Sequence, residues 1–138
     1  MSQPLHILIV DDDPDMRIYL AQCLRGAIEP RLQVEEAPNG EAALACLAGA
    51  RFDLVVSDAR MPRLDGLGLC RVLDADRSRD RLPVLLVTGE TDLVAEIRAY
   101  ISGRRDRGIL FKPFNTRTLH REVATLLAAG PTASGAQE

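Results

Sequence analysis

The 138-residue sequence has no tryptophan, and aromatic residues make up only 4% of it. Any core must therefore be filled by Leu, Val, Ile and Ala rather than by stacked rings. Lysine is nearly missing: of 17 basic residues, Lys112 is the sole lysine and the rest are arginine. Cysteine is sparse. Cys23, Cys46 and Cys70 are odd in number and isolated, with no C-x-x-C spacing, which argues against a disulfide framework or a cysteine-based metal site. They read as small buried thiols. No apolar run reaches the length of a bilayer span. The start, MSQPLHILIV, lacks the basic n-region and cleavage site of a secretory signal. These absences point to a cytoplasmic protein. A net charge of -3 gives no global drive toward nucleic acid or anionic lipid.

What is present is an alternation. The chain is 46% hydrophobic and 27% charged, ordinary for one soluble domain with a real core. Short apolar runs occur at Ile7–Val10, Leu32–Val34, Leu54–Val56, Val84–Val87 and Ile109–Phe111. Four are continuously apolar, as strands buried on both faces should be, and the weaker second run suggests an edge. Amphipathic stretches lie between them. Met16, Tyr19, Leu20, Cys23 and Leu24 share one helical face, with Asp13 as N-cap and Pro14 in the first position. Asn39-Gly40 opens a second helix that Gly49 ends. A third covers Leu67–Asp74, a fourth Leu93–Ile101 with a stop at Gly103, and a fifth Thr116–Ala129, with Leu119, Val123, Leu126 and Leu127 on one side. Residues 130–138 read as a flexible tail or the start of a linker. Five strands alternating with five helices imply an α/β fold, a parallel sheet covered on both sides. Ligands in such sheets bind at the C-terminal strand edge, where the strand order reverses.

Polar residues concentrate at that edge. Asp11-Asp12-Asp13 follow the first run, Ser57-Asp58 the third, Thr88 the fourth, and Lys112-Pro113 the fifth. If the first and third strands are neighbours, Asp11, Asp12 and Asp58 converge. Three carboxylates in one cleft need compensation, and a divalent cation supplies it. All-oxygen donors without His or Cys point to Mg²⁺, with Mn²⁺ as a substitute. Lys112 adds a positive charge and Thr88 a hydroxyl, the recurring parts of phosphoryl transfer. Each residue alone has a plainer reading as a turn, a cap or a solvated charge, and for Asp13 the cap is favoured. The residues themselves do not rank Asp58 above Asp12 as nucleophile.

The motifs ILIVDDDPDMR (7–17), VVSDARMPRLDG (55–66), PVLLVTG (83–89) and FKPF (111–114) resemble the receiver domain of two-component response regulators, over residues 5–129. The resemblance implies a doubly wound, flavodoxin-like sheet of order 2-1-3-4-5, with a receiver domain at 1–129. It implies phosphorylation of Asp58 by a histidine kinase or histidine phosphotransfer protein, in a Mg²⁺-dependent reaction that switches a partner-binding surface. Asp12 would be a direct Mg²⁺ ligand, Asp11 would act mainly through a metal-bound water, and the backbone carbonyl of Arg60 would be a third protein ligand. Thr88 would bind the phosphoryl group and report it. Lys112 would pair with it, and the Lys112–Pro113 bond would be cis. Such a domain is a phosphoacceptor rather than an enzyme, with no nucleic-acid or membrane contact of its own. The cognate kinase, the output partner and a phosphorylation-dependent dimer are left open.

Three departures from the family pattern stand out. Ile109 occupies a position usually held by an aromatic that swings inward on phosphorylation, so Phe111 or Tyr100 would have to substitute, or Ile109 is simply core. Arg60 and Glu90 occupy positions that tune phosphoryl lifetime, and they could pair across the cleft. Arg98, Arg104, Arg105 and Arg107 read as a solvated face in preference to a partner surface. Two rival functions stay in view. A haloacid-dehalogenase-like phosphatase would use Asp11 as nucleophile and Asp13 as acid/base, with Thr88 and Lys112. It lacks a further acidic motif after Lys112 and leaves Asp58 unexplained. A degenerate receiver would bind a partner without phosphorylation, which only Ile109 encourages.

Overall fold

A computed structural model describes residues 4–25, 32–76, 81–89 and 91–128. Glu90 and the proposed tail therefore lie outside the described residues. Among these residues there are five strands: β1 (His6–Val10), β2 (Gln33–Ala37), β3 (Leu54–Asp58), β4 (Val84–Thr88) and β5 (Arg107–Phe111). The helices between and after them are α1 (Pro14–Arg25), α2 (Gly40–Gly49), α3 (Gly66–Ala75), α4 (Thr91–Ile101) and α5 (Thr116–Ala128). All strands are parallel, in the order β2-β1-β3-β4-β5, so the doubly wound expectation holds.

The alternation of strand side chains divides the core in two. Leu8, Val10, Val55, Val84 and Leu86 pack on one face under α2, α3 and α4. Ile7, Ile9, Leu54, Val56, Leu85 and Val87 pack on the other, under α1 and α5. Strands covered on both faces have no solvent side, which is why β1, β3 and β4 are apolar almost throughout. The second strand departs from expectation. It runs Gln33–Ala37 rather than Leu32–Val34, and most of it is exposed. As an edge strand it is held by its backbone ladder to β1, from His6↔Gln33 to Val10↔Ala37, so Glu35 and Glu36 can face water.

Local chemistry fixes the helix starts. Asp13 Oδ1 accepts from the Asp15 amide at 3.0 Å, so Asp13 caps α1 as expected. Asn39 caps α2 through the Ala42 amide, and Asp65 caps α3 through the Gly68 amide. Gly66 is required by close approach: a Cβ there would lie 2.5 Å from the Asp58 carbonyl O and 2.8 Å from Leu86 Cδ2. Two burial expectations need correction. Tyr19 is 41% exposed, because α1 turns Leu20, Ala21, Cys23 and Leu24 inward instead. Cys46 is half-buried, unlike Cys23 and Cys70.

The arginine stretch needs a larger correction. Arg105 and Arg98 are exposed, but Arg107 is buried and Arg104 is half-buried. Arg107 Nη1 donates to the Leu82 carbonyl at 2.7 Å, and its Nη2 to Asp74 Oδ1 at 2.9 Å. Arg104 grips Asp74 through two bonds of 2.9 Å and also bonds Asp106. Tyr100 completes the cluster by donating to Asp74 Oδ2 at 2.6 Å and accepting from Arg107 Nε at 3.0 Å. The network joins the C-terminal ends of α3 and α4 to the start of β5, at the opposite end of the sheet from the carboxylates. Burial alone pushes the Asp74 carboxyl up, but the bonds from Arg104 and Tyr100 outweigh it and hold the group at about 2.

Candidate functional site

Because β1 and β3 are adjacent in register, their C-terminal ends deliver Asp11, Asp12 and Asp58 to one point. One carboxylate oxygen from each lies within 4.8 Å of the others. Asp11 and Asp58 are buried, and Asp12 is exposed. Lys112, just beyond β5, reaches back so that Nζ donates to Asp58 Oδ1 at 3.2 Å. Its amide donates to the Thr88 carbonyl at 2.9 Å, which ties the two strand ends together. Thr88 is buried at the end of β4, next to β3. The Lys112–Pro113 bond is cis, as the resemblance implied. Ser57 Oγ donates to the Asp58 carbonyl at 2.9 Å.

The electrostatics favour a cation. Burial pushes the Asp11 carboxyl up to about 6; the Asp13 amide bond opposes this and the charge of Asp58 adds to it. Asp58 is likewise raised by burial, with Lys112 acting against the shift and Asp12 adding to it. Asp11 Oδ2 is buried and has no hydrogen-bond partner among the described residues. An orphaned carboxylate oxygen beside two further carboxylates suits a hard divalent cation. The residues present therefore fit Mg²⁺.

The other expected positions fall as follows. Arg60 is exposed in the loop after β3. A pairing of Arg60 with Glu90 falls outside the described residues on the glutamate's side. Ile109 is partly buried and packs against the core under α4, which agrees with its reading as core. Of the two aromatics considered as substitutes, Tyr100 is committed to the Asp74 cluster. Phe111 is the register partner of Thr88, is 40% exposed, and lies 5.3 Å beneath the Arg98 guanidinium. Asp13 is exposed and caps α1, and it is not among the three carboxylates that converge, so the phosphatase reading is not favoured. One contact was missed at the sequence level: Arg17 of α1 donates to the Asp11 carbonyl at 2.6 Å. A cation in the first turns of a helix sits against the dipole, and that was the available sign that it has a partner.

A family model for the response regulator receiver domain matches residues 7–124. The chain belongs to the response regulator receiver family. Among curated proteins, the heme response regulator HssR of Staphylococcus haemolyticus is 35% identical over 120 residues, which is 87% of this chain and 50% of that protein. The chain thus spans about half the length of such relatives. Among solved structures, chemotaxis protein CheY4 of Vibrio cholerae superposes with a TM-score of 0.75 at 30% identity, covering 90% of this chain and 99% of that one. Response regulator TrrA of Thermotoga maritima, solved in complex with Mg²⁺-BeF, gives a TM-score of 0.73 at 25% identity, covering 88% and 98%. This receiver therefore carries its family's fold together with the acidic cluster, and no helix among its described residues is long and apolar enough to cross a membrane.

Proposed function

We propose that this receiver takes a phosphoryl group on Asp58 from a histidine kinase or histidine phosphotransfer protein, with Mg²⁺ held by Asp11, Asp12, Asp58 and the backbone carbonyl of Arg60. The observation that carries the reading is the Lys112–Asp58 contact of 3.2 Å inside the three-carboxylate cluster. Of the three acids, Asp58 is the one that Lys112 addresses directly. It also stands between the two strands whose ends supply the other carboxylates and Thr88.

The side chains have separable roles. Asp58 Oδ supplies the attacking oxygen, and the donor's phosphorus–nitrogen bond breaks as the phosphorus–oxygen bond forms. Lys112 places a compact charge where the new phosphoryl oxygens come to lie, and the Thr88 hydroxyl offers them a donor. A bound Mg²⁺ would neutralise charge on those oxygens. Arg60 and Glu90, which follow Asp58 and Thr88 respectively by two residues in sequence, would tune the lifetime of the acyl phosphate. The domain acts as a cytoplasmic phosphoacceptor and releases nothing of its own except phosphate. In this reading the receiver spans residues 1–129, and 130–138 are a tail or the start of a linker.

The switching surface follows from position. A groove of about 540 Å³ runs along β5 between α4 and α5, lined in part by Arg98, Ile109, Phe111, Phe114 and Arg121. Phe111 is paired with Thr88, so a shift of Thr88 toward the phosphoryl group is felt first there. Ligand-like modification of this kind biases a pre-existing equilibrium rather than creating a new state. Labelling with acetyl phosphate in Mg²⁺ tests the assignment. The wild-type chain is expected to take up phosphate and Asp58→Asn to take up none. Undiminished labelling of Asp58→Asn would overturn it.

A further inference from the structure

Arg17 stands outside the residues just assigned, yet it grips one of them. Its Nη1 donates to the Asp11 carbonyl at 2.6 Å and its Nε to Glu36 Oε1 of β2 at 3.0 Å. The side chain is only 17% exposed. Further bonds converge on the same turn. The Asp11 amide donates to the Ala37 carbonyl at 3.1 Å, and the Arg17 amide to the Asp13 carbonyl at 3.1 Å. Asp11 Oδ1 accepts from the Asp13 amide at 2.9 Å. Asp11 is thus fixed through its nitrogen, its carbonyl oxygen and one carboxylate oxygen. What remains is Oδ2, buried and unpartnered among the described residues.

Given the Asp58 reading above, we infer that Arg17, braced by Glu36, is a positioning residue for the cation site. It locks the β1–α1 turn so that Asp11 Oδ2 and the adjacent Asp12 are held ready for Mg²⁺ or its bound water. The charge of Arg17 cannot be the reason for its presence, because a nearby positive charge opposes a cation. The carboxylate of Glu36 offsets that charge. The strut and the charge therefore predict opposite outcomes when Arg17 is truncated. Loss of the charge tightens Mg²⁺ binding. Loss of the strut loosens it, as removal of groups that orient metal ligands does, by about tenfold. A mere bridge from α1 to β2 would change stability and leave the affinity of the folded protein alone.

The test is a Mg²⁺ titration of the ¹⁵N-labelled chain, followed at the Asp12 and Asp13 amides, for wild type, Arg17→Ala, Arg17→Lys and Glu36→Gln. Arg17→Ala should raise the Mg²⁺ Kd about tenfold. Arg17→Lys should recover part of the loss, and Glu36→Gln should fall between. In acetyl phosphate labelling, Arg17→Ala should raise the Mg²⁺ concentration for half-maximal rate and spare the maximal rate. A folded Arg17→Ala whose Kd matches or undercuts wild type overturns the role of Arg17 alone. If Arg17→Ala does not fold, unchanged Kd values in both Arg17→Lys and Glu36→Gln overturn it equally. A wild-type chain that shows no Mg²⁺ response overturns the reading of the site, and the role of Arg17 with it.

Discussion

Replacing Asp74 by alanine removes the carboxylate on which α3, α4 and β5 meet. The change deletes four hydrogen bonds: two from Arg104 at 2.9 Å each, one from Arg107 at 2.9 Å and one from Tyr100 at 2.6 Å. Bonds to a charged group contribute about 1.5–3 kcal/mol apiece when none is replaced. Here replacement is substantial. The Asp74 side chain keeps 29% of its surface exposed, so water enters, and Asp106 still pairs with both arginines. Arg107, at 3% exposure, is the partner that water reaches least. The net cost is therefore expected at about 2–3 kcal/mol, below the penalty for orphaning a fully buried charge. For a domain of this size that lowers Tm by about 10 °C. Urea unfolding followed by far-ultraviolet circular dichroism measures it. Arg63→Ala is the control, because it breaks a shorter pair to Glu41 at 2.6 Å whose side chains are 65% and 55% exposed. That pair should contribute less than about 0.5 kcal/mol. If Asp74→Ala costs no more than Arg63→Ala, the cluster is a solvated face after all and the reasoning fails.

Other outcomes follow from the same structure. Gly66→Ala places a Cβ against the Asp58 carbonyl and Leu86, so it should cost about 2–3 kcal/mol in urea unfolding and weaken Mg²⁺ binding by displacing Asp58. A fully stable variant would show that the β3–α3 connection yields freely. Lys112→Met removes the cation that holds the Asp58 carboxyl down, so in a ¹³C titration that carboxyl should ionise at higher pH than in wild type; an unchanged midpoint would contradict the contact. Asp11 has its folded value raised to about 6 from 3.8, so the folded state keeps a proton that the unfolded chain has lost. Without Mg²⁺, its contribution to stability is present below roughly pH 4 and fades as pH rises through about 6. Thermal melts in chelator should show this as a slope that Asp11→Asn reduces, leaving the part due to the raised Asp58 carboxyl, and that added Mg²⁺ offsets; identical slopes in the two proteins would count against it.

Legibility in the sequence followed burial. Strands covered on both faces are apolar without interruption, so Ile7–Val10, Leu54–Val56 and Val84–Val87 lie inside observed strands. The edge strand was displaced because Glu35 and Glu36 are compatible with a ladder that needs only one neighbour. The site was visible because four strands end on chemistry-bearing residues at one edge. Its ranking was not visible, since Asp11, Asp12 and Asp58 are equivalent until Lys112 is seen to contact Asp58. The Asp74 cluster escaped notice because arginines in a row look solvated, and the partners that bury Arg107 lie 33 and 7 residues away in sequence. Arg17 escaped for a related reason: its partner is a backbone carbonyl, which no side-chain pattern reports.

The central claim is that phosphate is carried by Asp58. Borohydride reduces an acyl phosphate to the alcohol and leaves free carboxylates intact, so treating the acetyl-phosphate-labelled protein and sequencing its peptides by mass spectrometry marks the acceptor. A single reduced residue is expected at position 58, dependent on Mg²⁺ and absent in Asp58→Asn. Reduction at Asp11 or Asp12, or at no aspartate despite phosphate uptake, would contradict it.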